Sequence, residues 1–261
     1  MKRNTVIILC ALVVALAGIL FAMSPKKKEG MTTKSVEIVV ARYNEDLEWL
    51  KDSPFNKYDI TVYNKGDNDD FAKPLNVRRV IRLKNVGKCD HTYLHHIVNN
   101  YDRLSDVTVF LPGSTDMDYK SKKARRLMDE IEKTDQATFI NEVAHKDIKQ
   151  ELYNFTLEEW KTSNQTNQNK NPESKTTPAK IRPFGRWFES NFGNIQVSNI
   201  TYAGIFSVAK LDILQHPLKY YESLEAQLST SSNPEVGHYF ERAWAAVFHP
   251  MSATRIINAY L

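Results

Sequence analysis

The chain has 261 residues, of which 42% are hydrophobic and 25% are charged, and these values are ordinary for a globular domain. The formal net charge is only +4, and no long basic tract occurs in the part predicted to fold, so nucleic acid is not an expected partner. The two cysteines, Cys10 and Cys89, lie in different predicted parts of the chain, which excludes a fold that depends on disulfides.

The first predicted element is an almost unbroken apolar run over residues 6–23. A run of about 18 apolar residues is the lower limit for a helix that spans a bilayer. A cleaved signal peptide is the alternative, but Pro25 would directly follow the cleavage point, so we expect an uncleaved anchor. The predicted organisation is a membrane anchor over 1–24, a short polar stem over 25–35 and a globular domain over 36–261.

Basic residues flank the apolar run on both sides, so the charge distribution does not fix its orientation in the membrane. Three glycosylation sequons begin at Asn154, Asn164 and Asn199, and they favour a lumenal domain because such sites are modified in the secretory pathway. We therefore expect a single-pass membrane protein of the endoplasmic reticulum or Golgi whose domain faces the lumen.

Predicted strands and helices alternate through the globular domain. Runs of β-branched and aromatic residues predict strands at 36–41, 59–63, 78–83, 107–111 and 201–208. Apolar residues at helical spacing predict helices over 90–101, 217–228 and 235–248, the first of them capped by Asp90 or Thr92. The charged stretch 120–133 predicts a further helix that is exposed. This alternation predicts an α/β fold with a single Rossmann-like, mostly parallel sheet flanked by helices. Residues 163–180 read as a low-complexity surface insertion.

Two carboxylates, Asp116 and Asp118, follow the clearest predicted strand and its Pro112-Gly113 turn. Ligands of parallel sheets bind beyond the carboxyl ends of the strands, and Mg²⁺ and Mn²⁺ prefer oxygen ligands together with substrate phosphates. The pair is therefore a candidate metal site that would stabilise charge on a leaving nucleotide. The alternative is a solvated or helix-capping loop.

A second polar cluster follows the first predicted strand. Arg42, Tyr43, Asn44 and Asp46 stand where side chains meet a nucleotide base or ribose. Helix capping by Asn44, with acidic residues in the first turn, explains the same residues without a ligand.

The predicted helix over 235–248 has one apolar face and one polar face. The polar face carries Glu235, His238, Glu241 and Arg242. A carboxylate here, Glu241 or Glu235, could take the proton from an acceptor hydroxyl, with His238 beside it as a supporting catalytic group. A solvated helix surface is the alternative interpretation.

His91 and His95 lie one helical turn apart, a spacing that is able to bind zinc. The sequence shows neither a cysteine pair nor a third ligand beside them. Histidines on a helix surface are therefore the favoured interpretation.

Several long segments together resemble a domain-of-unknown-function family of eukaryotes and large DNA viruses. They are VVARYNEDLEWL at 39–50, HTYL at 91–94, DVTVFLPGS at 106–114 and PEVGHYFERAW at 234–244. The opening strand is similar to that of glycosyltransferases with the single Rossmann-like A-type fold. Lys88-Cys89-Asp90 departs from the family pattern, in which an Arg-Glu-like pair would precede His91. The stretch after Gly113 varies between members of the family.

The resemblance implies a membrane-anchored enzyme that moves a sugar from a nucleotide-sugar donor to a glycan or glycoprotein acceptor. It also implies Mn²⁺ or Mg²⁺ as cofactor, held by Asp116 and Asp118, and a donor pocket that includes Arg242. Three further classes remain open: a non-catalytic glycan-binding or accessory protein, a metal-dependent hydrolase that uses the same carboxylates with His91 or His238, and a structural membrane-associated protein.

Overall fold

The computed structural model describes residues 34–170 and 174–259. Its strands are β1 Val36–Arg42, β2 Asp59–Asn64, β3 Val77–Arg82, β4 Val107–Pro112, β5 Phe139–Asn141, β6 Val143–Ala144, β7 Asn199–Ile200, β8 Phe206–Ala209 and β9 Ile256–Asn258. Its α-helices are α1 Lys88–Asn100, α2 Asp118–Thr134, α3 Ile148–Glu151, α4 Gln165–Lys170, α5 Phe184–Phe192, α6 Lys210–Ile213, α7 Leu218–Leu228 and α8 Glu235–Val247. Short 3-10 helices cover Glu48–Lys51, Phe55–Lys57, Tyr101–Arg103 and Ala253–Arg255.

The central sheet has five strands in the order β3-β2-β1-β4-β8. The first four are parallel to one another, and β8 pairs antiparallel with β4 at one edge. The chain moves outward from β1 to β3 and then returns to place β4 on the other side of β1, so the strand order reverses between β1 and β4. The predicted α/β fold with a mostly parallel sheet flanked by helices is confirmed.

Both faces of the sheet are covered, as expected for buried parallel strands. Alternate residues of β1 belong to different cores: Val39 packs with the aromatic cluster of α1, α5, α7 and α8, whereas Ile38 and Val40 pack against α2 and the 3-10 helices. Trp244 of α8 belongs to the first of these cores and Leu127 of α2 to the second. The helices that carry the polar candidates are therefore fixed on the sheet by apolar burial.

The helix α1 begins earlier than predicted. It starts at Lys88, after Gly87 in a left-handed conformation with φ 56°, and no side chain caps it. Asp90 and Thr92 therefore both lie inside the helix and are buried, so the prediction that one of them caps it is wrong. A Cβ at Gly87 would lie 2.6 Å from the Leu228 carbonyl oxygen, so only glycine allows α7 to approach here.

The predicted strand over 201–208 is shorter than expected. Ala203 and Gly204 have φ of 63° and 64°, which interrupts the extended backbone, and β8 begins only at Phe206. The predicted helices over 120–133, 217–228 and 235–248 correspond to α2, α7 and α8. Within the predicted insertion, the structure places the short helix α4.

The predicted membrane anchor, residues 1–24, lies outside the described residues. Within the two described ranges, every helix is too short or too polar to cross a membrane.

Candidate functional site

A pocket of about 220 Å³ opens beyond the carboxyl ends of β1 and β4, where the strand order reverses. We call it the switch-point pocket. Ligands of open α/β sheets bind in this crevice because neighbouring connections leave there in opposite directions. Its walls come from Ala41, Arg42, Tyr43 and Glu45 at the end of β1, from Pro112 and Ser114 at the end of β4, from residues 88–90 of α1, and from Gly237, His238 and Glu241 of α8.

Three lysines line the switch-point pocket: Lys65, Lys88 and Lys120. Lys65 is 7% exposed; its Nζ donates to the Val86 carbonyl at 2.6 Å and to the Lys88 carbonyl. Burial lowers the pKa of Lys65 to about 7 and that of Lys88 to about 8. The sequence did not point to these lysines, because isolated lysines look the same as solvated ones until the fold brings them together.

The other two amines have defined partners inside the pocket. The Lys88 ammonium lies 4.0 Å from the centroid of the Trp160 ring, a cation–π contact. Lys120 donates to Ser114 Oγ at 2.7 Å. Amines that share a partly desolvated pocket favour an anionic ligand, since their attraction for negative charge is stronger there than in water.

Carboxylates face the same pocket from α1 and α8. Asp90 is buried and accepts a hydrogen bond from Trp244 Nε1 at 3.1 Å. Burial first, and the charge of Glu241 second, raise the pKa of Asp90 to about 7. Glu241 lines the pocket and accepts from the backbone N–H of Ala203 at 2.9 Å. Two interacting carboxylates in a pocket are typical of acid–base sites.

His238 is the third polar group on this wall. Its ring is 5% exposed and lies 5.2 Å from the Trp160 ring. Burial, assisted by the charges of Lys88 and Arg242, lowers the pKa of His238 to about 3, so the imidazole is neutral. Its Nε2 has no hydrogen-bond partner within the described ranges. A buried polar atom of this kind is satisfied by water or by a ligand.

Glu45 joins the ends of β1 and β4. Its Oε2 accepts the backbone N–H groups of Tyr43 at 2.7 Å and Asn44 at 3.0 Å. Asn167, from the predicted insertion, donates to Oε1 at 2.6 Å. A Cβ at Gly113 would lie 2.6 Å from Oε2, so this glycine makes room for the carboxylate. The Pro-Gly turn after β4 is the sequence signal for this close approach.

The residues predicted to bind the nucleotide divide into two groups. Arg42 and Tyr43 line the pocket, whereas Asn44 and Asp46 do not. The Arg42 guanidinium forms its hydrogen bonds within the protein: Nη1 donates to Asn64 Oδ1 at 2.7 Å and Nε donates to the Glu45 carbonyl at 2.7 Å. Arg42 therefore has a structural role in the pocket lining. The exposed Asp46 accepts a hydrogen bond from the Glu48 N–H at 3.0 Å.

The predicted metal pair lies outside the pocket lining. Asp116 and Asp118 are both exposed, and Asp118 is the first residue of α2. The flanking residues Ser114 and Lys120 line the pocket instead. The segment after β4 therefore presents a hydroxyl and an amine to the pocket.

Glu235 also lies outside the pocket lining and is fully buried. Its Oε1 accepts from the Leu157 N–H at 2.9 Å and the Tyr239 hydroxyl at 2.8 Å, and its Oε2 accepts from the Ala179 N–H at 2.9 Å. Arg182 forms an ion pair with Oε2. These partners show that Glu235 holds the beginning of α8 against two loops.

Arg242 lies outside the pocket lining as well. Its guanidinium stacks 4.0 Å from the Phe155 ring centroid and donates to the His238 carbonyl at 2.8 Å. It lies 3.6 Å from Glu241. Of the polar face predicted on this helix, the structure therefore brings His238 and Glu241 to the pocket, with Arg242 behind them.

The fold and the pocket together define an α/β protein with a polar pocket at the switch point of a mostly parallel sheet. Residues 38–258 match the model of a family described as "Protein of unknown function (DUF3431)". The chain belongs to this family, and the predicted membership of a domain-of-unknown-function family is confirmed. A comparison with curated proteins found no match.

Proposed function

We propose that this domain is a glycosyltransferase that moves a sugar from a nucleotide-sugar donor to a glycan or glycoprotein acceptor, and that residues 1–24 anchor it in a membrane of the secretory pathway. The observation that carries the proposal is the composition of the switch-point pocket. Its lining supplies lysines for a diphosphate together with carboxylates for a hydroxyl. The Rossmann-like strand order and the resemblance of β1 to that of A-type-fold enzymes support the same proposal.

In this proposal the donor diphosphate binds near Lys65, Lys88 and Lys120. Lysine is a point-charge ligand for phosphate. As the bond between the anomeric carbon and the diphosphate breaks, negative charge grows on the leaving nucleotide. Amines that are already in place stabilise this charge without reorganising, which is the main electrostatic contribution available to such an enzyme.

Glu241 is the proposed base toward the acceptor. Its carboxylate takes the proton of the acceptor hydroxyl, the hydroxyl oxygen bonds to the anomeric carbon, and the nucleotide diphosphate leaves with the bonding electron pair. Asp90, whose pKa is raised to about 7 so that it is partly protonated at neutral pH, donates a hydrogen bond to the sugar in its protonated form. His238 offers a free Nε2 to the same ligand.

The expected Mn²⁺ or Mg²⁺ requirement stays a prediction. Asp116 and Asp118 are exposed and outside the pocket lining, so they do not fit as ligands of an ion that would bridge a diphosphate in the pocket. No step of the proposed reaction is therefore assigned to a metal, and the lysines supply the positive charge.

The test uses the purified full chain with a panel of nucleotide sugars, with and without Mn²⁺. A ligand that binds only the folded state raises the melting temperature, with about 2.7 kcal/mol of stabilisation at a hundredfold excess over Kd. We expect one nucleotide class to raise it and sugar transfer to an acceptor to follow. The variant Glu241→Gln should bind the donor but transfer less than one hundredth as fast.

Two outcomes would favour the other classes. Donor binding without any turnover, equal in the native chain and in Glu241→Gln, would indicate a non-catalytic binding protein. Release of free sugar in the presence of acceptors would indicate a hydrolase. A clean unfolding transition that no donor shifts would reject the nucleotide-sugar assignment.

A further inference from the structure

A cluster of two histidines and a glutamate lies between α1 and α7, outside the lining of the switch-point pocket. His91 and His95 are on one face of α1, and Glu225 reaches them from α7. Glu225 Oε1 is 2.7 Å from His95 Nδ1 and 3.7 Å from His91 Nε2. One ligand atom from each residue lies within 4.8 Å of the other two. The sequence showed the histidine pair, and the fold brings the third ligand from 130 residues away.

We propose that His91, His95 and Glu225 form a binding site for a zinc-like divalent cation. Two imidazole nitrogens and one carboxylate oxygen are a ligand set that Zn²⁺ uses in proteins, with the fourth position left for water. This proposal does not depend on the proposed glycosyltransferase activity.

The spacing of the three groups fits a tetrahedral ion. Zinc–nitrogen and zinc–oxygen bonds of about 2.0–2.2 Å place tetrahedral ligand atoms roughly 3.4 Å apart. The observed distances of 2.7 Å and 3.7 Å lie on either side of this value. The two imidazole rings are nearly parallel, with an angle of 16° and centroids 5.7 Å apart. Small side-chain rotations are therefore sufficient to close the site around an ion.

The burial of His91 and its missing hydrogen bond are the second observation that points to a bound ion. Its side chain is buried, and its Nδ1 has no hydrogen-bond partner within the described ranges. Its Nε2 lies 3.7 Å from the carboxylate, which is longer than a hydrogen bond. A simple histidine–carboxylate contact between the helices would need only His95, so it leaves His91 unexplained.

The surrounding backbone holds the ligands in place. Gly87 N–H donates to the Ser231 carbonyl at 2.8 Å, which ties the residue before α1 to the loop that follows α7. Asn99 Nδ2 donates to the His95 carbonyl at 2.9 Å. Because both helices are also fixed in the aromatic core, the three side chains start close to the geometry that the ion requires.

The test is a titration of the purified full chain, stripped with a chelator, with Zn²⁺ and with Co²⁺ as a spectroscopic probe. We expect one equivalent to bind per chain, a rise in melting temperature with Zn²⁺, and visible absorption typical of tetrahedral Co²⁺. Glu225→Gln keeps the size of the side chain and its contact with His95, and we expect at least a tenfold loss of affinity. His95→Gln should show a similar loss.

A matched control is available in the same chain. His145 and Glu151 form an equally short contact, with Nδ1 and Oε2 2.6 Å apart, but they have no second histidine beside them in the described structure. His145→Ala should therefore leave Zn²⁺ affinity unchanged. Absence of stoichiometric binding, or binding that Glu225→Gln and His95→Gln leave intact, would overturn the proposal.

Discussion

At the scale of single residues, the pKa of Asp90 reports most directly how strongly the switch-point pocket is desolvated. Its pKa in the folded chain is raised to about 7, mainly by burial, whereas an aspartate in an unfolded chain titrates near 4. The folded state therefore holds more protons than the unfolded state between about pH 4 and pH 7. The stability that this group contributes is fully present below pH 4 and is lost as the pH rises to 7.

Asp90→Asn removes this titration while keeping the oxygen that accepts from Trp244. We expect the variant and the native chain to differ little below pH 4, and the variant to become more stable by on the order of a few kcal/mol above pH 7. Urea unfolding at several pH values measures this difference. Asp118→Asn is the control, because that carboxylate is exposed. A constant difference across the pH range would contradict the raised pKa.

A substitution of Lys120 tests whether the lysines of the switch-point pocket bind the donor diphosphate. Lys120→Met keeps the apolar part of the side chain but removes the charge that faces Ser114 and the proposed diphosphate. A charge-assisted hydrogen bond is worth about 1.5–3 kcal/mol, so we expect the donor Kd to rise roughly 10- to 100-fold. Calorimetric titration with a nucleotide sugar measures the change. Lys122→Met, on the exposed side of α2, should leave the Kd as it is.

The sequence was sufficient to predict some of the residues that line the switch-point pocket but not others, and the difference has physical causes. His238 and Glu241 were predicted because a helical repeat fixes which side chains share a face. Asp90 was predicted to cap α1 because nothing in the sequence shows that Gly87 adopts a positive φ. That conformation lets the helix begin at Lys88, two residues before Asp90. Lys65 reaches the pocket only through long-range pairing of β2 with β1, which no local pattern encodes.

At the scale of secondary-structure elements, Glu235 fixes the beginning of α8. Glu235→Ala would leave the N–H groups of Leu157 and Ala179 without acceptors and Arg182 without its partner. Breaking a buried charged network of this kind costs about 3–5 kcal/mol. We expect that loss in the free energy of unfolding by urea. Glu222→Ala, on the exposed face of α7, should cost less than about 0.5 kcal/mol.

Conservative substitution separates this structural role of Glu235 from a catalytic one. Tyr239→Phe removes only the hydroxyl that donates to Glu235, and we expect a cost of about 1 kcal/mol. Activity per folded molecule should remain native in that variant. A variant of Glu235 that folds with native stability but loses transfer would instead support the predicted catalytic role.

The approach of α7 to α1 depends on Gly87 and can be tested against a second glycine. Gly87 and Gly193 both have positive φ, but a Cβ at Gly87 would collide with Leu228, whereas a Cβ at Gly193 would meet nothing within 4 Å. Gly193→Ala should therefore cost only the backbone strain of its φ of 69° and ψ of −141°, on the order of 1–3 kcal/mol. Gly87→Ala combines the strain of a left-handed conformation, about 1 kcal/mol, with a steric clash against Leu228, and we expect the larger loss of stability in urea unfolding. A loss at Gly87 no larger than about 1 kcal/mol would mean that the helices can separate without cost.

At the scale of the whole molecule, the order of strands decides where a ligand binds. Alternating β-branched runs and helical repeats were sufficient to predict the α/β class, because burial on both faces of a parallel sheet leaves a clear pattern. The antiparallel position of β8 was not predictable, since strand direction follows from the path of the chain between residues 113 and 205. The contribution of Ser163 and Asn167 to the pocket wall was hidden by their low-complexity composition.

The charge balance of the pocket leads to a last prediction for the intact protein. If lysines neutralise the donor diphosphate, the double variant Asp116→Ala/Asp118→Ala should bind a nucleotide sugar with native affinity, because both carboxylates are exposed and outside the pocket lining. Raising the ionic strength should weaken binding, since partly exposed amines are screened by salt. Loss of binding in the double variant, restored by excess Mn²⁺, would show that an ion bridges the diphosphate. The variant is a sharper test than a chelator, which would also strip the proposed site at His91, His95 and Glu225.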